Sequence, residues 1–173
     1  DLIPTTPHSF LKAIQGNQGD HFDEQISKNY IQVWRLEEER SRRILNEQLE
    51  KSDFCEFVAF AETMSQIPMD SDIHLANSMP VRLANFLQNH YSDSEVFCNR
   101  GTSGIDGTNG TAVGHSLVSK RLVTLLTGDL SFFYDRNAFF HEYDLSNLKI
   151  VVFNNQGGGI FRLIPGPSVL PEL

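Results

Sequence analysis

Two short stretches of this 173-residue chain carry residue types suited to holding an anion and a metal: Gly128-Asp129-Leu130-Ser131 and Asn154-Asn155-Gln156-Gly157-Gly158-Gly159. A hard divalent cation such as magnesium takes oxygen ligands in an octahedron, with one or two from the protein and the rest from phosphate and water. Asp129 and Asn155 supply such oxygens. The carbonyl of Gly157 is a third candidate, because glycine lets the main chain approach where a Cβ would collide. The amides of Leu130 and Ser131 open a predicted helix, whose positive end favours a phosphate anion. Each stretch alone is ordinary: Gly-Asp turns are common, and two Asn followed by glycines also describe a flexible loop. Together they say more. Asn155 lies 26 positions after Asp129, an interval that holds one helix and one return strand, so a single right-handed crossover brings both turns to one sheet edge.

The elements that must position these turns are written in the hydropathy pattern. Asp72 to Ala76, Glu95 to Cys98, Arg121 to Thr127 and Ile150 to Phe153 read as short strands, the last two apolar throughout. Helical stretches separate them, over Pro80 to Gln88, Thr111 to Ser119 and Phe133 to Tyr143. Apolar strands alternating with helices imply βα units and a parallel sheet covered on both faces, an α/β fold. In such sheets ligands gather at the carboxyl ends of the strands, which directs attention to the loops after Ala76, Cys98, Thr127 and Phe153. Upstream, Asp53 and Glu56 form a predicted capping box for a helix through EFVAFAETMSQI that stops at Pro68. The Glu-, Arg- and Leu-rich stretch from Trp34 to Lys51 reads as a solvated helix with Leu36, Ile44, Leu45 and Leu49 on one stripe. Residues 1 to about 30, with scattered Pro, Gly, Asn and Gln, read as irregular or linker-like.

Composition narrows the function classes. With 14 Lys and Arg against 22 Asp and Glu, the formal charge of −8 excludes a broad footprint for nucleic acid or anionic membrane. Any bound anion must be held locally. The two cysteines, Cys55 and Cys98, stand far apart and outside any CxxC pattern, as expected for inert core thiols in a reducing compartment. No apolar run reaches membrane-spanning length and the start lacks a signal-peptide pattern, so a cytoplasmic location is expected. The chain begins without Met and stops at Leu173, soon after the second turn, which is the expectation for a piece of a longer protein.

The string GDLS, a helix, an apolar strand and NNQGG resembles the thiamine-diphosphate motif. Three further segments narrow that resemblance: Ala76-Asn77-Ser78-Met79-Pro80-Val81-Arg82, Cys98-Asn99-Arg100-Gly101-Thr102-Ser103-Gly104-Ile105-Asp106-Gly107, and Gly157-Gly158-Gly159-Ile160-Phe161. They are similar to the 2-succinyl-5-enolpyruvyl-6-hydroxy-3-cyclohexene-1-carboxylate synthases of menaquinone biosynthesis, with the NRGTSGIDG string the most specific. The match runs from about Asp72 to Pro165, and residues 1 to 71 fit only loosely.

The resemblance implies the pyrophosphate-binding domain over 53–173, truncated at its C-terminus so that the sheet lacks an edge strand or borrows one from a neighbour, preceded over 1–52 by the tail of a central domain and a linker helix. It implies an enzyme that uses thiamine diphosphate and magnesium or manganese to decarboxylate 2-oxoglutarate and add the succinyl semialdehyde unit to isochorismate. Metal ligands on this reading are Asp129, Asn155 and Gly157. The cofactor is held by Asn77, Ser78, Ser103, Gly104, Ile105, Gly128, Asp129, Leu130, Ser131, Asn155 and Gly157. Substrate contacts fall to Arg82, Asn99, Arg100, Ile160 and Phe161. Both substrates bear carboxylates, which the planar forks of Arg82 and Arg100 suit better than Lys would, although either Arg also suits a surface ion pair. Ile105 resembles the bulky residue that props the cofactor into its bent form, or it is a core isoleucine. Ile160 and Phe161 cover the apolar side of the site or pack as core. The Glu that activates the cofactor ring comes, in this family, from the N-terminal domain of a partner subunit of a homodimer or homotetramer, so no catalytic residue is assigned in this chain and the isolated segment is expected to be inactive.

Two other readings remain open: another thiamine-diphosphate carboligase or 2-oxo acid decarboxylase, and a noncatalytic assembly module of the same fold. The six histidines, His8, His21, His74, His90, His115 and His141, show no zinc-ligand spacing, and His115 and His141 fall on predicted helices as packing or surface residues. Asp106 and Asp135 lie near the site but suit capping or turn roles equally. No GxSxG or Walker string supports a hydrolase or nucleotidase.

Overall fold

The computed structural model describes residues 6–16, 24–87 and 94–169. The chain divides into two units, Asp1–Ser52 and Asp53–Leu173. The first holds α1 (Pro7–Gly16) and α2 (Glu24–Lys51). The expectation of an irregular segment over residues 1 to 30 is therefore corrected: α1 lies inside it and α2 begins ten residues before Trp34. Helical hydrogen bonding within a long helix overrides the weak local signal of Asn, Gln and β-branched residues. On α2, Arg40 pairs with Glu37 at 3.6 Å and Lys51 with Glu47 at 3.7 Å, with Arg42 on Glu38 between them. These exposed pairs at three- and four-residue spacing make it a solvated helix. Leu36 and Ile44, from the expected stripe, are exposed, and Leu45 and Leu49 are half-buried.

The second unit is α/β. Its elements run α3 (Glu56–Gln66), β1 (Asp72–Leu75), α4 (Met79–Phe86), β2 (Glu95–Phe97), α5 (Thr108–Ser116), β3 (Val123–Gly128), α6 (Asp129–Tyr134) and β4 (Leu148–Phe153), with single 3-10 turns at Arg136–Phe139, Gly159–Leu163 and Pro167–Val169. All strand pairs are parallel, in the order β2-β1-β3-β4. The two central strands are buried on both faces, whereas β2 and β4, the edges among the described residues, are partly exposed. Phe60 and Met64 of α3, Leu83 and Ala84 of α4, and Ala112 and Val113 of α5 supply buried apolar side chains alongside Ile73, Leu75, Val123, Leu125 and Leu126 of the sheet. Among the described residues no helix is long and apolar enough to cross a membrane.

Several local expectations need correction. The N-cap of α3 is Cys55, which makes no side-chain cap bond, so Asp53 and Glu56 form no capping box; the Glu56 carboxylate accepts a hydrogen bond from Asn155 instead. Helix α5 starts three residues before Thr111, because Gly107, in the left-handed conformation at φ 73°, turns the chain directly into it. The helix expected over Phe133 to Tyr143 is replaced by α6, which opens at the end of β3, and a 3-10 turn. Asp135 separates the two, its carboxylate accepting from the Gly110 amide at 2.8 Å. His141 therefore lies beyond any helix. Cys55 is exposed and Cys98 half-buried, so neither is a core thiol. The predicted helix end at Gln88, His21 and His90, and the chain end at 170–173 lie outside the described residues.

A polar cluster that no spacing announced fastens α5 to β1. Asp72 is buried and receives Arg121 Nη1 at 2.9 Å, Ser119 Oγ at 3.0 Å and His115 Nε2 at 3.2 Å. His115 Nδ1 in turn lies 2.7 Å from His74 Nε2. Either ring can be the donor across that contact, according to the tautomer each holds. His74 also stacks on Phe97 at 5.0 Å. Burial, reinforced by His115 and opposed by Asp72, lowers the His74 pKa to about 4. The unfolded chain therefore takes up this proton before the folded one does. The contribution of a neutral His74 to stability is complete above about pH 6.5 and declines as pH falls towards about 4. NMR titration of the ring protons is expected to show His74 uncharged at pH 5.5; a midpoint near 6.5 would contradict this packing.

Candidate functional site

After β1 the chain moves to β2 on one side, then crosses back to β3 on the other. The loops leaving β1 and β3 therefore part company, and a crevice opens between them at the carboxyl ends of the strands. Gly128 pairs with Phe153 across β3 and β4, so Asp129 and Asn154 leave the sheet at one level. The crevice has a cavity volume of about 100 Å³ and opens to solvent, and its wall includes Asn77, Ser78, Ile105, Gly128, Asp129, Leu130, Ser131, Asn155, Ile160 and Phe161. Ten of the expected site residues thus share one cavity. Glu56, Met79, Pro80, Gly158 and Gly159 complete it, and of these Glu56 had no signal in the sequence beyond a capping pattern.

Asp129 is buried, and both of its oxygens are held by main-chain donors. Oδ1 accepts from the Leu130 amide at 2.8 Å and Oδ2 from the Gly157 amide at 3.0 Å. The second bond ties the turn after β3 directly to the turn after β4. Each carboxylate oxygen has a further lone pair, so these bonds orient the group without using up its capacity to accept. Asn155 stands opposite in character: its Oδ1 is buried without a partner, while its Nδ2 donates to Glu56 Oε2 at 3.2 Å. A buried amide oxygen left bare costs about 1–3 kcal/mol, a cost that a ligand at that oxygen would remove.

Gly158 and Gly159 lie close against side chains of the site. A Cβ on Gly159 would sit 2.6 Å from Asn155 Nδ2, and one on Gly158 would sit 2.5 Å from the Phe161 ring. Helix α6 spans only six residues, so its dipole is small, and it offers individual amides rather than the field of a long helix. Ser131 Oγ donates to the Ile105 carbonyl at 2.8 Å, which anchors the NRGTSGIDG loop against α6 and sets Ile105 into the crevice wall. Ser78, at the mouth of α4, adopts φ 74° and ψ −125°. Such a conformation costs a non-glycine residue about 1–3 kcal/mol and concentrates at functional sites.

Asn77 works as a staple. Its Nδ2 donates to the carbonyls of Asn99 at 3.0 Å and Gly104 at 2.6 Å, and its Oδ1 accepts from Arg100 Nη1 at 3.2 Å. The weak thiol bond from Cys98 reaches the same oxygen at 3.7 Å, and burial raises the Cys98 pKa despite the opposing Arg100 charge. The remaining expected residues do not line the crevice. Arg82 is exposed and donates to its own helix mouth at Ser78 O, 2.7 Å away. Arg100 is exposed, Asn99 bonds to Thr111, Ser103 bonds to the Arg100 carbonyl, and Gly104 and Gly157 act through main-chain groups.

No family model matches the chain. Several curated proteins do. Over 120 residues it is 57% identical to the 2-succinyl-5-enolpyruvyl-6-hydroxy-3-cyclohexene-1-carboxylate synthase of Cytophaga hutchinsonii, an alignment covering 69% of this chain and 22% of that protein. The Flavobacterium psychrophilum synthase of the same name is 42% identical over 142 residues, 82% of this chain and 26% of its own length. That of Porphyromonas gingivalis is 37% identical over 175 positions, 99% of this chain and 30% of its own length. The chain thus spans less than a third of the length of these relatives. Identity of this order, carried through as much as 99% of the chain, means that it belongs to the 2-succinyl-5-enolpyruvyl-6-hydroxy-3-cyclohexene-1-carboxylate synthase family.

Proposed function

We propose that this segment holds the diphosphate of thiamine diphosphate and its magnesium or manganese ion, in an enzyme that decarboxylates 2-oxoglutarate and adds the succinyl semialdehyde unit to isochorismate. The observation that carries the proposal is the pairing in one crevice of an oriented carboxylate, Asp129, with the bare amide oxygen of Asn155. Two hard oxygen donors, one charged and one neutral, fit a magnesium ion that completes its shell from phosphate and water. Glycines at 157 to 159 keep the rim free of side chains where a diphosphate must lie close to the backbone. Bound thiamine diphosphate supplies the electron sink that decarboxylation and carboligation require.

The residues of this chain bind and orient. Asp129 and Asn155 hold the cation, with the Gly157 carbonyl as a third donor, while the Ser131 amide meets the diphosphate, the Leu130 amide being engaged by Asp129. Ile105, fixed by the Ser131 bond to its carbonyl, props the cofactor rings. Ile160 and Phe161 exclude water from the apolar wall. Arg82 and Arg100, exposed residues outside the crevice wall, receive the substrate carboxylates. The activating Glu is supplied by the N-terminal domain of a partner subunit in a cytoplasmic homodimer or homotetramer.

The test uses the full-length protein with isochorismate, 2-oxoglutarate, thiamine diphosphate and magnesium. Consumption of isochorismate coupled to release of carbon dioxide is expected. Decarboxylation of other 2-oxo acids with no use of isochorismate would point to a different carboligase. Absence of any magnesium-dependent thermal shift with thiamine diphosphate would point to a noncatalytic module.

A further inference from the structure

Glu56 opens α3 and lies 99 residues before Asn155, yet the two side chains meet at 3.2 Å in the crevice wall. An ionised carboxylate only accepts hydrogen bonds, so the edge of Asn155 that faces Glu56 must be its NH2. The carbonyl edge is thereby turned the other way, and that oxygen is the one buried without a partner. The two edges of an amide are nearly the same size, so packing alone selects poorly between them; a half-turn about χ2 would present two N–H groups to a cation in place of an oxygen. Gly159 closes over the same NH2 edge, with no room for a Cβ beside it.

We propose that Glu56 is a positioning residue that locks the Asn155 amide with its carbonyl oxygen toward the divalent cation. The inference rests on the metal site proposed above. Glu56 does not itself touch the metal; it acts through Asn155, as outer partners orient metal ligands generally.

The experiment titrates Mn²⁺ into the full-length protein with thiamine diphosphate present and reads free Mn²⁺ by electron paramagnetic resonance, so no turnover is needed. Glu56→Ala is expected to weaken Mn²⁺ binding about tenfold or more. Glu56→Gln is expected to stay near wild type, because its Oε1 accepts the same NH2 without the charge. Equal losses in both variants would show that charge rather than orientation matters and would overturn the proposal, as would Mn²⁺ binding by Glu56→Ala that matches wild type. Failure of the wild type itself to bind Mn²⁺ with the cofactor would instead remove the underlying site. Thermal melts of the metal-free proteins check folding. Should Glu56→Ala not fold, Glu56→Ser, which suits a helix start but is too short to reach Asn155, replaces it with the same expected loss.

Discussion

Asp129→Ala is expected to raise the apparent Kd for thiamine diphosphate in the presence of magnesium at least about 100-fold, because truncating one member of a desolvated charge contact costs about 2–5 kcal/mol. Arg100→Ala should leave that Kd close to wild type and instead raise KM for substrate about tenfold, the scale of one charge-assisted bond. The geometry separates the two residues. Asp129 is buried in the crevice wall and tied to Gly157, whereas Arg100 is exposed, outside the wall, with one contact to Asn77. Asp129→Ala also frees the amides of Leu130 and Gly157. A modest loss of stability will therefore accompany the loss of binding, and urea melts of the metal-free protein separate them. Cofactor titrations in which both variants lose affinity equally would contradict this division of labour.

Phe60→Ala is expected to destabilise the second unit by about 3–5 kcal/mol, the cost of emptying an aromatic-sized space in a close-packed interior. Phe60 is 0% exposed, and its ring lies 5.0 Å from that of Phe153 at a tilt of 35°. Phe153 is the last residue of β4, immediately before the Asn154-Asn155 turn. The same cavity therefore undermines the footing of the candidate site. Against a domain stability of about 5–15 kcal/mol the loss is large. Phe54→Ala, at a ring 87% exposed, serves as the control and should stay within about 0.5 kcal/mol. Urea denaturation monitored by circular dichroism measures both. A Phe60→Ala change no larger than the control would mean that α3 is not packed on the sheet as described.

How much of this was legible in advance depended on how local the cause was. Strands β3 and β4 were readable because continuous apolar runs bounded by turn residues have few other uses. The turns after β3 and β4 were readable because Asp, Asn and consecutive glycines at strand ends carry their own chemistry. Helix limits were less so: Gly107 and Asp135 moved the ends of α5 and α6 through one turn conformation and one side-chain bond to Gly110. The exposed α2 began earlier than its charge pattern suggested.

By itself, then, the order of residues determined the alternation of strand and helix, the two glycine-rich turns and their residue chemistry, and the likeness to one family of synthases. Tertiary structure alone decided which distant groups face each other. Glu56 meets Asn155 across 99 residues, and His74 meets His115 across 41. It also left Arg82 and Arg100 outside the crevice. The reason is physical: propensity and periodicity act over a turn or two of chain, whereas contacts between remote side chains are set by how the sheet orders its strands and by which buried polar atoms must find a partner.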